Sequence, residues 1–249
     1  MKFSIVIDNR ELSDWIVYNI IHSIDKAISE DVPNQRHELS LETKNYISFI
    51  RGDFINENLR KFVVDIEKGI LLHTFQRFGW SGRLLIIKDS RLTISIMTEN
   101  NLARIQKKDR KNPHFIQSIL HCMNGDLHGR YEQTQFFDTD PFDSETYDKD
   151  FNKINNGAID LVEGYRHCII SYSLTGKSLT DVRFKVLDPK FNIVCEENLS
   201  DYIKPDFASL TANDPDEATA REEHNKLTNN LISLKPGLKL RLRVEDKEA

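Results

Sequence analysis

Apolar residues recur along this chain in two rhythms. Over residues 12–30, Leu12, Ile16, Ile20, Ile24 and Ile28 fall about one helical turn apart, with Val17 and Ile21 widening the stripe. That spacing predicts a helix with one buried face, and Pro33 is its expected stop. A second helix is predicted from Leu41 to Ile50, then a break at Gly52 and a short helix capped by Asp53. From residue 70 the rhythm changes. The runs ILLHTFQRFGW, GRLLIIKD and LTISIMT are rich in β-branched and aromatic residues, and they predict a β-meander over 70–98 with a turn at Asp89–Ser90–Arg91. LLII is apolar on both faces, as a central strand would be. Leu92, Ile94 and Ile96 alternate with Thr93 and Ser95, which assigns one face of the last run to the core.

Helical spacing returns over 99–108. Asn112 is then a predicted cap with Pro113 at the first helical position, ahead of an apolar stripe of Phe115, Ile116, Ile119, Leu120 and Met123 that Gly125 ends. Residues 126–163 are rich in Asp and Asn and read as an acidic connection holding a short helix through Tyr147, Phe151 and Ile154. YRHCIISYSLTG, DVRFKVLD and FNIVCEE predict three strands over 165–196, with a turn at Asp188–Pro189–Lys190 and a turn of helix at Ser200. A charged helix from Asp214 to Leu231 and a final strand, LKLRLRV, complete the pattern. The fold class is therefore α+β: two antiparallel β groups, the meander 70–98 and strands 165–196 plus a C-terminal strand, with packed helices and no βαβ rhythm. The expected organisation is a helical and β-meander lobe over 1–125, the acidic connection 126–163, and a second β-rich lobe with a charged helix over 164–249, or one continuous domain.

Composition narrows the function classes. With 249 residues, 39% hydrophobic and 29% charged, the chain can bury a core and is not disordered as a whole. Lys plus Arg is 34 against 39 for Asp plus Glu, a net charge of −5 that argues against a non-specific coat for nucleic acid. Asp8, Arg10, Glu11 and Asp14 interrupt any apolar leader, and no apolar run reaches the ~18 residues of a membrane span. Cys122, Cys168 and Cys195 are odd in number and form no CxxC, as expected of reduced thiols in a cytoplasm.

Several chemistries lack their motifs. Neither GxxxxGK[ST] nor GxGxxG occurs, and Gly79 and Gly82 flank Trp80 where a hairpin turn is expected. His114 and His121 stand seven apart on one helix, with Cys122, Asp126 and His128 close behind. Zinc accepts these ligand types, but the one-turn spacing of a zinc-binding helix is missing, so neither metal nor cofactor is expected. Asp138, Asp140, Asp143 and Glu145 lack the turn glycine of a calcium loop and read as a solvated acidic stretch. For a nuclease, Glu42–Thr43–Lys44 has the acid–x–Lys spacing but lies inside a predicted helix, Lys88 and Asp89 are adjacent at a strand end, and Asp65 and Glu67 precede the first strand, so none has the right context.

The remaining candidate is the first meander strand. His73, Phe75 and Arg77 alternate and project from one face, and Trp80 and Arg83 follow at the turn. Such a set suits an anionic, planar ligand, with the arginines on its charge and the aromatics stacked on its plane. The competing reading packs Phe75 and Trp80 under a helix and pairs Arg77 with an acid. Arg104, Lys107, Lys108, Arg110 and Lys111 form the one dense basic cluster, a polyanion patch or else cations meeting a helix C-terminus.

The run HTFQRFGWSGRLLIIKDSRLTISIMTENNLARIQKKDRKNPHFIQSIL resembles the central block of a bacterial family of unknown function, and VRFKVLDPKFNIVCEENLSDYI is similar to its C-terminal strands. The resemblance implies a bacterial cytoplasmic protein with no assigned activity. The residues favour a non-catalytic binding or interaction protein, with a protein partner ahead of nucleic acid and no membrane. The alternative is an enzyme acting on nucleic acid or a nucleotide in phage defence or a toxin–antitoxin pair. The core assignment has a direct check. Ile94→Ala should destabilise the chain by roughly 2–5 kcal/mol through lost transfer energy and a cavity, whereas a loss below about 0.5 kcal/mol in chemical denaturation would remove that strand from the core.

Overall fold

The computed structural model describes residues 5–7, 10–39, 46–107, 111–129 and 142–203; the predicted C-terminal helix and strand, with Lys108, Arg110, Asp138 and Asp140, lie outside the described residues. The α+β class holds. Strands β3 (Ile70–Arg77), β4 (Trp80–Ile87), β5 (Leu92–Thr98), β6 (Arg166–Thr175), β7 (Ser178–Leu187) and β8 (Ile193–Asn198) form one sheet in that order. Neighbours are antiparallel except β5 and β6, which run parallel over seven residues from Leu92↔Arg166 to Thr98↔Tyr172. That single parallel step joins the two strand groups edge to edge. A separate hairpin, β1 (Ile5–Ile7) with β2 (Arg10–Leu12), precedes them.

Alternation along each strand divides the sheet into two buried faces. Ile70, Leu85, Ile87, Leu92, Ile94, Cys168, Ile170, Val182, Phe184 and Val186 pack with helix α1 (Asp14–Lys26) and with Ile55 and Leu59 of helix α3 (Ile47–Phe62). The opposite face packs with α4 (Glu99–Lys107), α5 (Phe115–Met123) and α6 (Ser144–Asn155). Both faces of β5 are covered, since Thr93 and Ser95 are buried along with Leu92 and Ile94.

Three predicted boundaries differ. Pro33 does not end the first helix. The chain passes through a five-residue π turn, Ala27–Asp31, where the Val32 N–H bonds the Ala27 carbonyl, and continues into α2 (Val32–Leu39) with Pro33 in its first turn. Gly52 does not break α3. It stands mid-helix with no neighbour a Cβ would meet, and burial of Ile55, Leu59 and Val63 outweighs its ~1 kcal/mol of poor propensity. Asn112 is not the cap of α5. His114 is, with extended backbone, its Nδ1 accepting from the Ile116 N–H while Gln117 Oε1 accepts from the His114 N–H at 2.7 Å.

Asn124, fully buried at the end of α5, ties that helix to the sheet. Its Nδ2 donates to the carbonyls of His167 (2.9 Å) and Leu187 (2.7 Å), and its Oδ1 accepts from the His167 N–H (2.9 Å). Among the described residues no helix is long and apolar enough to cross a membrane. His167 is itself fully buried, with Nδ1 2.9 Å from Thr93 Oγ1 and no partner at Nε2 among the described residues. Burial lowers its pKa from 6.5 to about 3. The unfolded chain therefore binds a proton below pH 6.5 that the folded chain refuses until about pH 3. Stability should fall with pH across that window by an extra ~1.4 kcal/mol per unit, and be flat in this contribution above it. His167→Gln should have a shallower slope than wild type in denaturation series from pH 7 to 4. Equal slopes would place the proton elsewhere.

Candidate functional site

The hairpin joining β3 to β4 turns through Phe78 and Gly79, both at positive φ (47° and 77°), so Arg77 pairs directly with Trp80 and the register runs on through Phe75↔Gly82 and Thr74↔Arg83. Cross-strand partners share a face. His73, Phe75, Arg77 and Trp80 therefore lie on the side covered by α5 and α6, and Arg83 lies on the side of α3.

The first three of these side chains are engaged in holding helices. His73 Nε2 is 2.7 Å from the carbonyl of Ile154 in α6. Phe75 is buried between Trp80 (ring centroids 5.8 Å) and Phe115 (5.5 Å). Arg77 pairs with Asp150 of α6 at 3.0 Å and also donates to the carbonyl of Pro113. Asp150 in turn accepts from Ser118 of α5. Arg77 thus links β3 to both helices. The Phe75 ring lies over Gly82, where a Cβ would overlap it, which explains a glycine inside β4.

Trp80 and Arg83 meet in a different place. β4 spans Trp80–Ile87 and β5 spans Leu92–Thr98, yet the two pair only over Leu85↔Ile94, Ile86↔Thr93 and Ile87↔Leu92. Beyond that vertex the strands part. The cleft between them, about 410 Å³, is lined by Trp80, Ser81 and Arg83 from β4, Ile94, Ser95 and Ile96 from β5, Phe49, Asp53 and Asn56 from α3, and Phe115 from α5. Side chains from both faces of a sheet can line one space only where the sheet is open. A neighbouring hollow of about 520 Å³ shares Asp53, Asn56, Leu72 and Arg83 and extends the cleft along α3.

The lining is aromatic at its mouth, and Arg83, Asp53, Asn56 and Ser95 stand among the aliphatic side chains of Ile55, Leu59, Leu85, Ile94 and Ile96. Phe49 and Trp80 are 75% and 49% exposed, unusual for such rings. Among the described residues Arg83 has no carboxylate partner, and its guanidinium donates only to the adjacent Gly82 carbonyl at 3.1 Å. Ser95 is 2% exposed, and its Oγ has no hydrogen-bond partner among the described residues. Tyr172, on the wall, has its phenol pushed up by burial. Sequence patterning missed Phe49, Asp53, Asn56 and Ser95. The available signal was Ser95, a polar residue in a strand otherwise buried on both faces.

The other candidates separate. His121 stacks on Tyr147 (4.6 Å), His114 caps α5, and Cys122 donates to Asp148 at 3.4 Å, while burial pushes its thiol up to about 12. His128 is exposed, and among the described residues no three His, Cys, Asp or Glu side chains come close enough to hold a metal ion. Cys168 is buried and Cys122 and Cys195 are half-buried, and no disulfide joins them. In the basic cluster, Arg104 and Lys111 are exposed and Lys107 ends α4; Lys108 and Arg110 lie outside the described residues.

A model of the family described as "Family of unknown function (DUF5986)" matches residues 9–248, and the chain belongs to that family. No curated protein and no solved structure matches it.

The aromatic over the glycine gives a test of how the mouth is built. Gly82→Ala should destabilise by about 1–3 kcal/mol through overpacking, and by clearly less in a Phe75→Leu background, where the new methyl has room. Equal costs in the two backgrounds, read by urea denaturation, would show that the Phe75–Gly82 contact does not set the position of β4.

Proposed function

We propose that this member of the family is a non-catalytic interaction module that binds an extended segment of a partner protein by strand addition in the β4–β5 fork. The observation that carries this reading is the pair of open strand edges. β4 pairs with β3 along its whole length, and β5 pairs with β6 along its whole length. On their facing sides, Trp80–Leu84 and Ser95–Thr98 have no strand partner among the described residues. Unpaired edges recruit an added strand, because backbone N–H and C=O groups left over from one chain complete those of another. The four free residues of β5 offer about 13 Å of edge. Phe49, Trp80 and Phe115 would enclose the side chains of such a segment, and Arg83, Asp53 and Asn56 would read its polar groups.

A second reading keeps Trp80 and Arg83 as a stacking ring and an anion clamp for a nucleotide, the arrangement an enzyme acting on nucleotides would use. It is favoured by their joint presence in the cleft, but it leaves the strand edges unused. One experiment separates the two. The sequence has two tryptophans, Trp15 and Trp80, so Trp15→Phe leaves Trp80 as the sole reporter. Pools of random hexapeptides and a panel of nucleotides, RNA and single-stranded DNA are titrated against that variant. Peptides should shift Trp80 emission and slow exchange of the Ser95–Thr98 amides that point away from β6, and Trp80→Ala should weaken peptide binding about tenfold or more. A response to nucleotides alone would favour the enzyme, and no response to either would remove the cleft as a site.

A further inference from the structure

The shape of the fork restricts what can enter it. At the vertex β4 and β5 pair again, from Leu85↔Ile94 to Ile87↔Leu92, so an inserted strand cannot continue in the plane of the sheet. Phe115 of α5, on one side of the sheet, and Ile55 and Leu59 of α3, on the other, line the cleft. A segment from the middle of a chain would have to turn back inside this space. A chain end would not.

Charge and direction choose which end. Arg83 lies two residues short of the vertex on β4, and Ser95 lies one residue past it on β5. Both line the cleft. Arg83 has no carboxylate partner among the described residues, and the Ser95 hydroxyl is buried without a partner. Arg83 comes to the closed end from the α3 side and the Ser95 hydroxyl from the opposite side, so a carboxylate lying between the two strands would accept from both. A strand that enters with its C-terminus leading runs parallel to β4 and therefore antiparallel to β5, the stronger pairing, on the edge that β6 already holds rigid from the other side.

We infer that the fork receives the free C-terminus of a partner polypeptide, with its α-carboxylate held by Arg83 and Ser95. This rests on the strand-addition reading above. Asp53 and Asn56, on α3 beside Arg83, would then select against a second acid in the last residues of the ligand.

The test uses the full chain and three synthetic pools of random hexapeptides: free carboxylate with acetylated N-terminus, free amine with amidated C-terminus, and both ends blocked. Binding should concentrate in the free-carboxylate pool. A peptide selected from it should lose about 10- to 100-fold in affinity on amidation. Arg83→Met should abolish that difference, Arg83→Lys should keep part of it, and Ser95→Ala should reduce it. If Arg83→Met fails to fold by circular dichroism, the Arg83→Lys and Ser95→Ala variants carry the same comparison. A selected peptide that binds equally well amidated would overturn the terminus and leave strand addition standing. The absence of binding from every pool would overturn both.

Discussion

Everything in this structure follows from one pairing, the parallel contact of β5 with β6. Two antiparallel groups, each able to close through short turns, become a single sheet at this step. A parallel neighbour cannot be reached by a hairpin, so the chain between Thr98 and Arg166 must cross the sheet before it returns. That crossover is where α4, α5 and α6 come from, and it delivers all three to one face. Asn124 secures it, because a single buried amide satisfies groups on His167 and Leu187 that would otherwise be left without partners at the start of β6 and the end of β7.

The fork is a consequence of the same step. β5 is held by β6 over seven residues but by β4 over three. The far half of β4 answers to other forces. Phe75 and Trp80 pack with Phe115, and Arg77 pairs with Asp150, so the β3–β4 hairpin is drawn toward α5 and α6 and away from β5. Two sets of contacts thus compete for one strand, and the sheet opens where neither set reaches. Of the residues that looked most like a ligand site in the sequence, His73, Phe75 and Arg77 therefore build the opening, Arg83 lines it, and Trp80 does both.

What was legible in the sequence was local. The strand runs, the turn at Asp89–Ser90–Arg91, the helix through Tyr147 and Phe151 and the α+β class depend on alternation and turn chemistry within a few residues, and these are as the pattern predicts. Helix boundaries were less legible. Pro33, Gly52 and Asn112 carry strong local signals that tertiary packing overrode or shifted by a residue or two. The faces were the hardest part. Alternation correctly placed His73, Phe75 and Arg77 together, but no local rule says which face a crossover will cover. Arg83 could be assigned to the other side only once the two-residue turn at Phe78 and Gly79 had fixed the register.

Two departures from ordinary sheet design sit at the fork. Phe78 adopts φ of 47° with its ring 80% exposed, in a turn position that asparagine or glycine would occupy at lower cost. Open strand edges are hazards that sheets usually blunt with charge, proline or an early end. Here the edges face each other across a cleft that α3 and Phe115 also line. Strand addition, as proposed above, would use these edges from the mouth of the cleft. On the strand-addition reading, the Ser95 hydroxyl, buried without a partner among the described residues, and Arg83, without a carboxylate partner among them, are the groups by which this opening would select one strand.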